Sequence, residues 1–315
     1  MWPILRRFGL LAIGVVALWL LTVLALNVTI YSASGFVQSY LRALEASDYG
    51  LAASKAGLTR APQILPVVAD TPKNPRIVGT NSLPTGELVL QAEYELGDDT
   101  YQSVFVVKPG EPVLGFFDTW TFSTPPLATL QFSIIGDQRV SVSGVQVDTS
   151  TLGVPPSATV FVPGRYVSSL ETEWISAEPV TTDVIEAEST LSVRLQVSPT
   201  SQLLDTTRDA LEAYLNGCTD QGVLMPAGCP FGVSIDDRVL GSPTWTIIDY
   251  PTIELSLAAD RATWTMVAEG GVAEVKAQVQ SLFDGSITEF SDTETFEVIG
   301  IVRGTTTDQP VLNLY

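Results

Sequence analysis

Histidine is missing from all 315 residues. Its absence removes Ser-His-Asp and Cys-His arrangements, the His-based zinc sites and the side chain that most often moves protons near neutral pH. Positive charge is scarce as well. Lys and Arg number 16 against 35 Asp and Glu, a formal net charge of -19 with only 16% charged residues in all. Affinity for nucleic acid comes mainly from Lys and Arg neutralising phosphates, so a chain of this sign is not expected to have a nucleic-acid partner. The acidity reads as a solvated surface that keeps the domains soluble. Cysteine is limited to Cys218 and Cys229.

What the chain has in quantity is apolar residues, 45% with a mean hydropathy of +0.27. At this length they suffice for two or three domains with real cores. Much of the excess lies at the start. The stretch MWPILRRFGLLAIGVVALWLLTVLALNVTIYSASGF carries Arg6 and Arg7 and then no charge until Arg42. From Phe8 to Ile30 it is almost wholly apolar, long enough to cross a hydrocarbon core of about 30 Å at about 1.5 Å per residue. Arginines before it and an acidic chain after it put the short N-terminus in the cytoplasm and everything beyond Tyr31 outside the cell membrane. Trp2 and Tyr31 suit the two interfaces. A cleaved signal peptide is the rival, since Ser32, Ala33, Ser34 and Gly35 are small, but signal-peptide cores are usually about 7 to 15 residues long. Uncleaved signal-anchor is the expectation. The Asn27-Val28-Thr29 sequon lies too near the membrane edge for easy modification.

Outside the membrane, paired thiols oxidise, and Cys218 and Cys229 enclose ten residues with Gly222, Pro226 and Gly228 among them. A structural disulfide is expected, stabilising by about 3 kcal/mol on loop entropy. Free thiols and a redox or metal role stay open beside it. The spacing is not that of C-x-x-C redox pairs, and two cysteines without histidine make half a tetrahedral zinc site.

The fold expected is α+β: residues 1–34 form a cytoplasmic stub and transmembrane helix, and two helix-plus-antiparallel-sheet units flank a β-sandwich-like module. In residues 35–124, Phe36, Tyr40, Leu41 and Leu44 make a helical stripe with polar punctuation at Ser47 and Asp48. A connection through Pro62, Pro66, Pro72 and Pro75 leads to the strand-like GELVLQAEYEL, YQSVFVVKPG and FFDTWTFST. Residues 125–199 read as strands throughout, with turns at Gly136-Asp137 and Pro163-Gly164. Residues 200–315 open on a helix from Asp205 to Gly217, with Leu204, Leu211, Tyr214 and Leu215 on one face, and continue as a strand meander. The repeated order makes an internal duplication plausible.

The segment FVQSYLRALEASD followed by strands resembles the cystatin-like, nuclear-transport-factor-like domains found outside the membrane in Gram-positive bacteria. DTWTFSTPPLATL leading into ATVFVPGRY is similar to the β module that follows such a domain in single-pass envelope proteins of actinobacteria and, more distantly, in the teicoplanin-resistance-associated membrane proteins. The wider group often carries a cytoplasmic four-cysteine zinc ribbon, for which this chain has too few residues ahead of its apolar run. The resemblance implies an envelope-facing binding or sensing protein and supplies no catalytic residue.

Chemistry-bearing candidates are few. Asp236 with Asp237, or Glu93 with Glu95, are nominal pairs for a two-acid glycosidase, but neither spacing predicts the geometry such an enzyme requires. LGDDTY at 96–101 misses the EF-hand spacing and reads as an acidic hairpin turn. Trp120, Trp174, Trp245 and Trp264 follow Thr or Glu in strand-like segments. On an exposed face they would stack on sugars of a wall polymer; buried, they are core. The first unit could also enclose an apolar pocket between helix and curved sheet. No cofactor, metal or catalytic residue is expected. The expected function is a non-enzymatic anchored protein that binds or senses an envelope component, a cell-wall polymer or another envelope protein, with a structural scaffold as the alternative and a carboxylate-dependent wall hydrolase behind it.

Overall fold

The computed structural model describes residues 2–58, 69–135, 137, 139–147, 155–260, 262–305 and 310–315, with side chains from Ile13 onward and without that of Ile135. Pro62, Pro66 and Gly136 fall outside the described residues, as do the side chains of Trp2, Arg6 and Arg7. The fold is α+β and the chain divides into two compact units. One is Met1–Ser133, Arg139–Ser169 and Pro179–Leu195; the other is Ile134–Gln138, Leu170–Glu178 and Gln196–Tyr315.

The first unit opens on α1 (Trp2–Val28), whose flank from Ile13 to Leu24 leaves many large apolar side chains exposed. Among the described residues no single helix is long and apolar enough to cross a membrane. Ile13–Val28 and Ala33–Glu45, bent by 56° at a short break, pass that test together by length and composition. The bend is tight. Ser32 caps α2 (Ala33–Glu45), its hydroxyl accepting from Gly35 N at 3.0 Å. A Cβ on Gly35 would lie 2.4 Å from the Thr29 carbonyl oxygen and 2.8 Å from that of Ile30, so only glycine fits the junction.

Helix α2 buries Val37, Tyr40, Leu41 and Leu44, an i, i+3, i+4, i+7 stripe. Phe36, expected on that stripe, is half-buried at its rim, 5.0 Å from the Phe122 ring. At the polar punctuation the chain breaks, at Ser47 (φ 57°), and restarts as α3 (Tyr49–Lys55). The polar pair explains the break, because Asp48 Oδ1 accepts from Leu51 N at 2.9 Å and caps the new helix. A four-stranded antiparallel sheet follows, β1 (Lys73–Ser82), β2 (Leu88–Leu96), β3 (Asp99–Pro109) and β4 (Trp120–Phe122), in sequence order. LGDDTY turns between β2 and β3, with Leu96 opposite Asp99. Inward-facing Leu90, Ala92, Phe105, Val107 and Phe122 close one core with α2.

The strands expected as a sandwich-like module are β5 (Leu127–Ile135), β6 (Val140–Val142), β7 (Val145–Val147), β8 (Ser157–Phe161), β9 (Gly164–Glu171), β10 (Ile175–Val184) and β11 (Thr190–Pro199). They join one seven-stranded sheet in the order β7-β6-β9-β10-β11-β5-β8.

In the second unit, α4 (Ser201–Thr219) begins a turn earlier than Asp205 and runs past Gly217. Thr200, in extended backbone, is the cap: its hydroxyl accepts from Leu203 N at 3.3 Å and donates to the Glu173 carbonyl at 2.7 Å. Asp205 pairs instead with Arg208 on the surface, at 2.6 Å. The buried face is Leu203, Thr207, Leu211, Leu215 and Cys218, shifted from the expected stripe so that Leu204 and Tyr214 sit at its edges. The five-stranded sheet comprises β12 (Arg238–Asp249), β13 (Thr252–Leu257), β14 (Trp264–Gln280), β15 (Ile287–Arg303) and β16 (Val311–Leu314). Along β14 the buried set changes parity, from Trp264, Met266 and Ala268 to Ala273, Val275, Ala277 and Val279. The switch falls at a bulge between Ala268 and Gly271, where the Phe296 ring fills the space a Cβ on Gly271 would need.

Candidate functional site

The tryptophans do not form a stacking face. Trp174, Trp245 and Trp264 are buried, and Trp120 is half-buried. Each indole meets a core requirement: Trp245 packs 4.8 Å from Phe231 and donates its Nε1 hydrogen to the Val223 carbonyl at 2.8 Å, and Trp264 opens the inward set of β14. Trp120 donates to the Tyr31 carbonyl at 3.0 Å, tying β4 to the end of α1. Of the two readings open from the sequence, stacking face or core, the tryptophans' burial fits the second, on the inward parity of the strands.

The carboxylate pairs are spoken for or apart. Arg76 binds the Glu93 carboxylate, and with Gln102 donating to its other oxygen at 2.9 Å it holds Glu93 below the usual carboxylate range. A general acid needs the opposite shift. Glu95 accepts from Asn74 at 3.1 Å. Asp236 and Asp237 sit in the exposed approach to β12, where Asp237 accepts from Leu282 N at 3.2 Å. Cys218 and Cys229 are joined by a disulfide, Cα atoms 5.8 Å apart. Within its loop Gln221 donates to the Ala227 carbonyl at 3.1 Å and accepts from Ala227 N at 2.8 Å, and Tyr214 donates to the Gly228 carbonyl. This loop is a staple at the end of α4.

A concavity that sequence reasoning missed lies in the first unit, at the α1–α2 bend. It is an open groove of about 860 Å³ between the end of α1 and the turn after it, at Val28 and Ile30, and the outer flanks of α2 and α3. Arg42, Lys55 and Arg76 line it together with one acid, Asp48. Asp48 is occupied as the cap of α3. Arg42, in the last turn of α2, makes no ion pair among the described residues. Lys55 stands 5.1 Å over the Phe36 ring, and partial burial lowers its pKa. Arg76 reaches the groove because Gln38 on α2 donates to the Pro75 carbonyl, drawing β1 against the helix. No family model, no curated protein and no solved structure matches the chain.

The groove can therefore attract an anion but holds no nucleophile matched to a base. Among the described residues no group of three or more Cys, Asp or Glu side chains is placed to hold a metal ion. The only sequence signal for the groove is that three of 16 cations lie in Arg42, Lys55 and Arg76, too far apart along the chain to read as a motif. A second polar cluster in the same unit is structural. Arg165 binds Asp183 through both carboxylate oxygens, at 2.6 and 2.8 Å, and Tyr101 donates to the same group at 2.7 Å. The Arg165 guanidinium, followed by Tyr101, holds Asp183 below its ordinary pKa.

Proposed function

We propose that this chain is a non-enzymatic, single-pass membrane protein, N-terminus inside, whose outer units bind an anionic component of the cell envelope in the groove at the α1–α2 bend. Its finer architecture on this reading is the anchor followed by two cystatin-like helix-and-sheet units around the strands from Leu127 to Pro199. The observation that carries the proposal is the charge in the groove. In a chain of net charge -19, Arg42 and Lys55 meet in one concavity with no carboxylate paired to them among the described residues, beside Arg76, which Glu93 holds, and the end of a helix whose apolar flank is uncovered. A fixed cationic concavity in an acidic surface selects anions by exclusion elsewhere as much as by attraction within. The buried tryptophans argue for such a groove over an aromatic sugar platform. The disulfide suits an oxidising exterior.

The test uses the full chain in nanodiscs, mixed with isolated cell-wall sacculi and sedimented at moderate and high salt. Pelleting at moderate salt that Arg42→Glu with Lys55→Glu abolishes is the expected result; pelleting indifferent to both substitutions sinks the groove reading. One observation favours the scaffold alternative. At the turn joining β14 and β15, Phe283 is 99% exposed and Leu282 72%, an apolar tip of a kind that often marks a protein contact. No pelleting, together with crosslinking from this tip to another membrane protein in intact cells, would make the chain an assembly subunit.

A further inference from the structure

A polar residue sits inside the apolar helix α1, and its side chain has a task. Asn27 donates from Nδ2 to the Phe116 carbonyl at 2.8 Å and accepts at Oδ1 from Asp118 N at 3.3 Å. It grips the segment EPVLGFFD, which leaves the sheet between β3 and β4 and returns to it. Two aromatic contacts extend the grip along the helix: Phe116 meets Trp19 edge-on at 4.9 Å, and Phe117 stacks on Tyr31 at 4.6 Å. Val23, Leu26 and Asn27 are the half-buried residues of α1 on this side, while Leu20, Leu21 and Leu24 stay exposed.

The segment is apolar where it faces outward. Val113 is 49% exposed, Leu114 78% and Phe116 52%, and no charge interrupts Pro112 to Phe117 between Glu111 and Asp118. The two arms of the turn are nevertheless bonded to each other. Val113 N donates to the Phe117 carbonyl at 2.9 Å, Phe117 N returns to the Val113 carbonyl at 3.1 Å, and Phe116 N shares that acceptor at 3.2 Å. In hydrocarbon no water is available to satisfy peptide groups, so each bond made within an irregular segment lowers the cost of its entry. Asn27 satisfies the Phe116 carbonyl as well, which leaves the peptide groups at the tip, Leu114 and Gly115, without a bond among the described residues. Depth follows from the helix: Asn27 lies roughly 5 Å below Ile30 along the axis and Trp19 roughly 16 Å, about half of a bilayer's apolar thickness.

We propose that the Pro112–Phe117 turn is a second lipid contact, a wedge that enters the outer leaflet beside α1, with Glu111 and Asp118 left at headgroup level. It rests on the reading of α1 as a membrane span and goes beyond it, because a bare anchor would leave the sheet in water. The occupant of this surface is acyl chain, since the exposed side chains continue the uncovered apolar flank of the helix they grip.

The test reconstitutes the full chain, native disulfide oxidised, into phosphatidylcholine and phosphatidylglycerol vesicles. Single cysteines carry an environment-sensitive fluorophore at Leu114→Cys, with Val113→Cys as a second reporter of the turn, Leu20→Cys as a reporter of the helix and Val78→Cys on exposed β1 as the water control. The expected result is blue-shifted emission at 114 and 20, quenched by doxyl-labelled lipid and insensitive to aqueous iodide, with the reverse at 78. Lipid quenching at 20 but iodide quenching at 113 and 114 overturns the wedge and leaves the span standing. Iodide quenching at 20 overturns the span and, with it, the wedge as stated.

Discussion

Helices α2 and α4 open comparable helix-and-sheet arrangements, yet they are fastened by different means. On α2 the Tyr40 hydroxyl is fully buried and donates to the carbonyls of Val162, at 2.7 Å, and Pro126, at 3.2 Å, residues far along the chain. On α4 the fastening is local and covalent, the Cys218–Cys229 bridge across a sequence separation of 11. The outer flanks differ in the same direction. That of α2 contributes Arg42 to a cationic groove, while that of α4 carries Asp205 and Asp209. A helix held by distant partners can position residues from several elements around one concavity; a helix stapled to its own loop organises little beyond it. The proposed binding groove accordingly belongs to the first unit and the staple to the second.

The largest effect that would test this contrast is Tyr40→Ala, expected to cost about 3 to 5 kcal/mol through a buried void and the orphaned Val162 carbonyl, that of Pro126 keeping its bond from Val162 N. Tyr40→Phe keeps the ring and should cost about 1 to 3 kcal/mol, which isolates the hydroxyl. Hydrogen exchange should lose protection in α2 and keep it in α4; equal loss in both would break the distinction. Next comes reduction of the disulfide, expected to remove about 3 kcal/mol and to show the opposite pattern, loss confined to α4 and its loop. An unchanged melting temperature on reduction would leave the bridge without a stabilising role.

The smallest effect concerns Asp183. Its pKa is held down in the folded chain by Arg165, so its stabilising contribution is present above the unfolded value near 4 and is lost as pH falls through the lower folded value. Asp183→Asn should therefore cost about 1 to 2 kcal/mol at neutral pH. Plotted against pH, its melting temperature should meet that of the parent chain on acidification. Parallel curves down to the acid limit would show that the pair contributes nothing. At the other end of the scale Tyr94, pushed up to about 12 by burial, should hold its proton to high pH and begin to cost stability only as pH climbs above its unfolded value near 10.

The α+β class, the α2 stripe, the hairpin at LGDDTY and the cysteine staple were legible because each is a local signal: a 3.6-residue period, a turn dipeptide, a close thiol pair. What escaped was decided by partners distant in sequence. Phe36 and Val37 are both apolar, and only the folded core shows that Val37 is fully covered while Phe36 lies at the rim against Phe122. Asp205 and Thr200 are both good caps, and Thr200 prevails because its hydroxyl also finds the Glu173 carbonyl. The tryptophans left two readings open because a strand pattern reveals two faces without telling which is covered. The groove was invisible for the same reason, since Arg42, Lys55 and Arg76 meet only after β1 pairs with β2 and Gln38 reaches Pro75. Asn27, read as an idle sequon, carries its meaning in a turn some 90 positions away.

Gly35 has a mechanical consequence. With the carbonyls of Thr29 and Ile30 occupying the space a Cβ on Gly35 would need, the bend between α1 and α2 is closely packed, unlike a flexible linker. With α1 seated in a bilayer as proposed, the helix and the first unit turn as one piece. A change in bilayer thickness that tilts the helix would then swing the groove toward or away from the headgroups, as a rudder follows its post.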